Sequence, residues 1–187
     1  MKKIPTLFKR EFDNHIPTLL QEVTPGMEWV LEGKGVATVK LDGSATAIIN
    51  RTFYKRYDAK KGKEPPKMAI PCCPPDPVTG HWPHWVPVDP HDPADKHLYA
   101  AYCESGGPDL PDWTYEAVGK HFCGNPYKMD KDILLPHGGI RPEVERSFEG
   151  IKKYLEENEV EGLVFWKDGE PRCKIRRKDF GLPWPVK

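Results

Sequence analysis

Gly35-Val36-Ala37-Thr38-Val39-Lys40-Leu41-Asp42-Gly43-Ser44-Ala45-Thr46-Ala47-Ile48-Ile49-Asn50 is an apolar, strand-like run with a lysine and an aspartate set into it. Side chains alternate along a strand, so Lys40 and Asp42 are expected to share a face with Val36 and Thr38, while Val39 and Leu41 point the other way. Gly43 admits the close approach of another backbone or of a ligand. As chemistry, the run offers an amine nucleophile on a rigid element beside a carboxylate, suited to attack on phosphorus or on a carbonyl. As plain structure, it is an edge-strand lysine followed by an Asp-Gly turn. The rest of the chain decides between the two.

Working outward, the run continues as one apolar strand to Ile49, turns at Asn50-Arg51 and returns through Thr52-Phe53-Tyr54-Lys55-Arg56. Phe53 and Lys55 face one side and Tyr54 and Arg56 the other, and the returning strand is expected to bring cations beside the strand of Lys40. Residues 1–34, punctuated by Pro5, Pro17 and Pro25, read as a lead-in with a short strand at Trp29-Val30-Leu31. Residues 64–97 read as a long loop, rich in proline and carrying His81-Trp82-Pro83-His84-Trp85. Loops of that length in a compact domain are commonly functional, and Trp82 and Trp85 are candidate stacking platforms for bases or, alternatively, anchors of the loop to the core. Cys72, Cys73, His81, His84 and His91 in the same stretch raise a zinc site, although their spacing matches no finger or ribbon.

Downstream, Tyr99 to Glu104 is a short apolar stretch. Trp113-Thr114-Tyr115-Glu116-Ala117-Val118-Gly119 reads as a strand with an embedded carboxylate, which must be paired or functional. Ile133-Leu134-Leu135-Pro136-His137 reads as a further strand running into a turn. Ser147 to Asn158 is the clearest helix, with Ser147 as its cap and Phe148, Ile151, Tyr154 and Leu155 as its apolar stripe. A second hairpin follows, Glu159 to Trp166 and Arg172 to Arg177 about Asp168-Gly169, with Lys174 and Arg176 on one face.

With 28 basic and 28 acidic side chains the chain is no bulk polycation. Two local basic runs remain, Lys55, Arg56, Lys60, Lys61 and Lys63, and Lys174, Arg176, Arg177 and Lys178. No stretch reads as a membrane span or signal peptide, and five scattered cysteines read as free thiols, so the expected location is cytoplasmic.

Lys40 with Asp42, Glu116, Glu161, and Lys174 with Arg176 are thus four ionisable sites set in strand-like contexts. In order and type they resemble the covalent nucleotidyltransferase superfamily, which holds the ATP-dependent DNA and RNA ligases and the mRNA capping guanylyltransferases. Lys40-Leu41-Asp42-Gly43 resembles its motif I, Tyr115-Glu116-Ala117-Val118-Gly119 its motif III, Glu161-Gly162-Leu163-Val164-Phe165 its motif IV and Lys174-Ile175-Arg176 its motif V. Within the superfamily the chain is most similar to small RNA ligases. Nine residues follow Lys178, so the expectation is a single nucleotidyltransferase domain over 1–187 without an OB-fold domain.

The resemblance implies an α+β, ATP-grasp-like fold with antiparallel sheets around a nucleotide cleft and flanking helices. It implies an ATP-dependent RNA ligase using ATP and Mg²⁺ or Mn²⁺ and acting on RNA ends; no membrane partner is expected, no protein partner is implied, and the oligomeric state is left open. Lys40 would form a phosphoramide with AMP; Glu116 would hold the ribose, Glu161 the metal, and Lys174 and Arg176 the α-phosphate. Asp42 and an arginine, Arg56 in preference to Arg51, would join the nucleotide site, with His137 or Phe122 stacking on adenine. A lysine is protonated in neutral water, with a pKa of about 10.4, and cationic surroundings free its lone pair while neutralising phosphate.

The sequence departs from the family pattern at Arg176, where lysine is common, and at Val39, where related ligases often carry an adenine-reading glutamate that Thr38 or backbone groups would replace. Two rivals stand beside this reading: a GTP-using capping-type guanylyltransferase, and a non-catalytic RNA-end binding module.

Overall fold

The computed structural model describes residues 3–13, 16–60 and 62–186. In chain order the elements are β1 Phe8–Asp13, β2 Ile16–Val23, β3 Val36–Lys40, β4 Ser44–Ile49, β5 Thr52–Ala59, β6 Ile70–Pro71, β7 Trp82–Pro87, α1 Lys96–Glu104, β8 Trp113–Val118, β9 Ile133–Pro136, α2 Phe148–Glu157, β10 Gly162–Lys167 and β11 Glu170–Arg176. Short 3-10 turns punctuate them. The architecture is mixed α+β with antiparallel sheets and few helices. Among the described residues no helix is long and apolar enough to cross a membrane. Lys61 of the first basic run lies outside the described residues.

The chain divides into two compact units, one comprising Asp42–His137 with Lys3, the other Ile4–Leu41 with residues 138–186. The sequence between Lys40 and Gly43 passes from one unit to the other. The expected single strand from Gly35 to Ile49 is therefore two strands: β3 ends at Lys40 and pairs with β10, while β4 begins at Ser44 and pairs with β5 and β8. Asp42 follows β3 and does not continue its alternation.

The first unit is built on a six-stranded sheet in the order β6-β7-β5-β4-β8-β9. The β4–β5 hairpin turns at Asn50 and Arg51, both with left-handed φ (49° and 60°), as a tight two-residue hairpin requires. Their N–H groups donate to the Asp112 carboxylate at 2.6 and 3.0 Å. One face buries Ile48, Phe53, Tyr115, Ala117 and Leu134 against Ala101 and Tyr102 of α1. The stretch from Tyr99 to Glu104 is thus helical. Residues 64–97, expected as a loop, contribute β7 to the sheet, where it pairs with β5 over six residues. Trp85 on that strand is 6% exposed and belongs to the core, so it is not a stacking platform.

The second unit holds a three-stranded sheet, β11-β10-β3, and a separate β1–β2 hairpin where a lead-in was expected. Trp29-Val30 lies in a 3-10 turn over Glu28–Val30, not a strand, and both side chains are buried. The sheet's inner face carries Ala37, Leu163, Phe165, Cys173 and Ile175, packed with Ile151 and Leu155 of α2. Ser147 caps α2 by accepting from the Gly150 N–H at 2.9 Å. At its other end the buried Arg177 donates to the Leu155 carbonyl, to Asn158 O at 2.8 Å and to Pro183 O at 2.9 Å. Arg177 of the second basic run is therefore a cap for helix carbonyls. The outer edge of β11 is occupied: Leu7 N–H donates to Lys174 O at 2.8 Å and Lys174 N–H to Pro5 O at 3.0 Å.

Candidate active site

In the second unit, pairing register puts three cations on one face of one sheet. Gly162 of β10 lies opposite Lys40 of β3 and opposite Arg176 of β11, and Val164 lies opposite Thr38 and Lys174. Opposed residues project to the same side, so Lys40, Lys174 and Arg176 share the face that turns away from Leu163, Phe165 and Ile175. Gly162, between Lys40 and Arg176, has no room for a side chain, because an added Cβ would meet Ile175 O at 2.2 Å and Arg176 Cα at 2.8 Å. The same residue therefore leaves the row open between the two cations.

Each cation has an acidic companion or a burial cost. Lys40 Nζ donates to Glu161 Oε2 and to Leu41 O at 3.3 Å. Arg176 forks onto Asp179, Nη2 to Oδ1 at 2.9 Å and Nε to Oδ2 at 3.2 Å. Burial first, then the charges of Lys40 and Arg176, pushes Lys174 down to about 8. Thr38 is 2% exposed; its hydroxyl donates to Val164 O at 3.2 Å and accepts from Trp166 Nε1 at 2.8 Å. It is therefore committed to the sheet, which disfavours it as an adenine-reading group.

In the first unit, Glu116 of β8 is 8% exposed and doubly engaged. Its Oε1 accepts the Gly43 N–H at 3.1 Å and its Oε2 lies 2.8 Å from His137 Nε2. His137 follows β9, held by its N–H to Thr114 O at 3.0 Å and by Trp113 Nε1 to its carbonyl at 2.8 Å. The other ring nitrogen of His137, Nδ1, is buried and unpartnered among the described residues. Phe122, the alternative adenine stacker, is 6% exposed and packs in the core. The Asp42 N–H donates to Tyr127 Oη at 2.7 Å, and Cys123 Sγ lies 3.2 Å from Gly43 O. Gly43 itself is pressed against β8, where a Cβ would meet Ala117 O at 2.1 Å.

Arg56 does not sit on a strand beside that of Lys40, because β5 pairs with β4 and β7. By alternation it shares a sheet face with Ala45, Ala47 and Glu116 instead. It pairs with Asp58 at 3.0 Å and lines a cavity of about 340 Å³ with Asp58, Cys73 and His81. The proposed zinc set of Cys72, Cys73, His81, His84 and His91 is not assembled among the described residues.

Tyr127, Cys123 and Asp179 were not singled out as site residues from sequence. An aspartate three residues after Arg176 was the legible signal for Asp179, and Tyr127 ends the Gly124-Asn125-Pro126-Tyr127 segment that resembles small RNA ligases; Tyr127 and Cys123 reach the Asp42-Gly43 turn across more than 70 residues of chain.

No family model matches the chain. It is 32% identical over 148 residues to a zebrafish (Danio rerio) protein named RNA ligase 1. The match covers 57% of this chain and 43% of that protein, so the chain spans less than half of the relative it resembles.

Proposed function

We propose that this chain is an ATP-dependent RNA ligase that works through a covalent lysyl-AMP intermediate. The observation that carries the reading is the one-sided row of Lys40, Lys174 and Arg176 on a sheet whose opposite face is core, with Glu161 at the Lys40 amine. Fixed cations of this kind suit a reaction in which negative charge builds on phosphate oxygens. The similarity to a protein named RNA ligase 1 supports the choice of RNA ends as substrate.

In this reading Lys40 Nζ attacks the α-phosphorus of ATP. A P–N bond forms, the bond to pyrophosphate breaks, and the amine gives up a proton. Lys174 and Arg176 stabilise the charge on the α-phosphate. Glu116 takes the ribose, and His137, with Nδ1 still unpartnered, hydrogen-bonds or stacks at the base. An RNA 5′-phosphate oxygen then attacks the lysyl-AMP phosphorus and releases Lys40. Finally a 3′-hydroxyl attacks the activated 5′-phosphorus, AMP leaves, and a phosphodiester remains.

Glu161 fits a hard divalent cation, since Mg²⁺ binds through one or two carboxylates with phosphate oxygens and water completing its shell. When bound, such an ion supplies positive charge to the leaving pyrophosphate. The same carboxylate oxygen, Glu161 Oε2, pairs with Lys40 Nζ.

The test is intact mass after incubation with ATP and Mg²⁺, with GTP and Lys40→Ala as controls. A gain of one AMP that depends on Lys40 is expected. A gain with GTP alone would favour the capping-type rival, and no adduct from folded protein would favour a binding module.

A further inference from the structure

We propose that His97, His121 and Asp132 form a binding site for a single divalent late transition ion, of which Zn²⁺ is the reference case. Among the described residues they are the group whose donor atoms converge, one from each within 4.8 Å of the others. His121 Nδ1 lies 2.6 Å and His97 Nδ1 4.0 Å from the same oxygen, Asp132 Oδ2. The imidazoles stack with centroids 3.7 Å apart and 16° between planes.

The donor chemistry discriminates the ion. Two imidazoles and one carboxylate suit zinc or its neighbours, whereas Mg²⁺ and Ca²⁺ take oxygen. Three protein ligands leave one position for water.

The site is half built. Asp132 Oδ1 accepts the His121 N–H at 3.0 Å, which fixes the carboxylate, and its side chain is only 10% exposed. Gly119 presses on the same segment, where a Cβ would meet Lys131 O at 2.3 Å and Asp132 Cα at 2.7 Å. His97, in the first turn of α1, lies farther from Asp132 Oδ2 than His121 does, 4.0 against 2.6 Å, and is the adjustable ligand. Bonds of about 2.0 Å at tetrahedral angles need ligand atoms roughly 3.3 Å apart, so His97 must swing in by about an ångström and tilt off its stack.

An ion here ties α1 to the connection between β8 and β9. Those strands carry Glu116 and lead to His137, so the site braces the frame of the proposed nucleoside contacts from the far end of the hairpin.

The experiment is calorimetric titration of the intact, reduced chain with Zn²⁺, beside His97→Ala and Asp132→Asn, plus a Co²⁺ absorption spectrum. One equivalent should bind wild type, each substitution should weaken binding at least tenfold, and the Co²⁺ spectrum should lack a thiolate charge-transfer band. Zn²⁺ should raise the wild-type melting temperature by several degrees and leave that of His97→Ala unmoved. No binding, equal binding by the variants, or a thiolate band pointing to the cysteines would overturn the proposal.

Discussion

Gly162 stands directly opposite Lys40 across the β3–β10 ladder, and the lack of a side chain there is structural as well as chemical. A Cβ would strike backbone atoms of β11 at 2.2 and 2.8 Å, which cannot rotate away. Gly162→Ala should cost about 1–3 kcal/mol, the usual range for overpacking. Gly169→Asn in the turn of the same hairpin, where nothing lies within 4 Å, should cost under about 1 kcal/mol because asparagine tolerates left-handed φ. Urea midpoints of the two variants check the contrast; equal midpoints would remove the steric account.

Lys174 makes stability depend on pH in a predictable direction. Its value is pushed down to about 8 in the folded protein, below that of the unfolded chain, so between these values the unfolded state binds more protons. Stability therefore rises as pH climbs from about 8 toward about 10.5. The side chain is partly exposed, and after allowance for solvent screening the gain is about 1–2 kcal/mol. Lys174→Met should flatten that rise relative to wild type, measured by urea unfolding at pH 7.5 and 10. Parallel curves would mean the lysine is not penalised.

Glu116 separates two kinds of loss. Glutamine keeps an oxygen for the Gly43 N–H and a polar partner for His137 Nε2, whereas alanine leaves both unpaired. Glu116→Ala should destabilise by about 1–3 kcal/mol and Glu116→Gln by less, the asymmetry of buried unsatisfied groups. If the carboxylate holds the ribose, both variants should also bind ATP more weakly, with calorimetry as the readout.

The two tryptophans of residues 64–97 should behave differently. Trp85 is buried on β7, so Trp85→Ala should cost about 3–5 kcal/mol and depress every activity together. Trp82 is half-buried with its Nε1 donated to Cys73 O at 2.8 Å, and Trp82→Phe should retain lysyl-AMP formation. A selective loss of end-joining in Trp82→Phe would assign it to RNA; loss of both steps would assign it to the fold.

Local pattern made some of this architecture legible. The capped stripe of α2, the Asp168-Gly169 hairpin and the β8 strand about Glu116 each announce themselves within a dozen residues. The division after Leu41 does not, because the apolar run continues on both sides and only the partners reveal two sheets. The helix at Lys96–Glu104 was hidden in a short apolar stretch, and β7 in a proline-rich one whose strand pairing is non-local. Of the candidate residues, Lys174 and Arg176 share a face by alternation along one strand, whereas Lys40 joins that face only through the β3–β10–β11 register, which no local pattern shows. The expected place of Arg56 beside the strand of Lys40 is not met for the same reason: its neighbours depend on which strands β5 pairs with.

The hydrogen bonds that Pro5 and Leu7 make to Lys174 have a bearing on handling the protein. They close what would otherwise be an open β-edge, and open edges recruit other chains. A chain begun after Leu7 would lose that buried side chain and expose the edge beside an apolar core, so self-association is the expected outcome. Tags are better attached through a spacer ahead of residue 5 than by trimming into it.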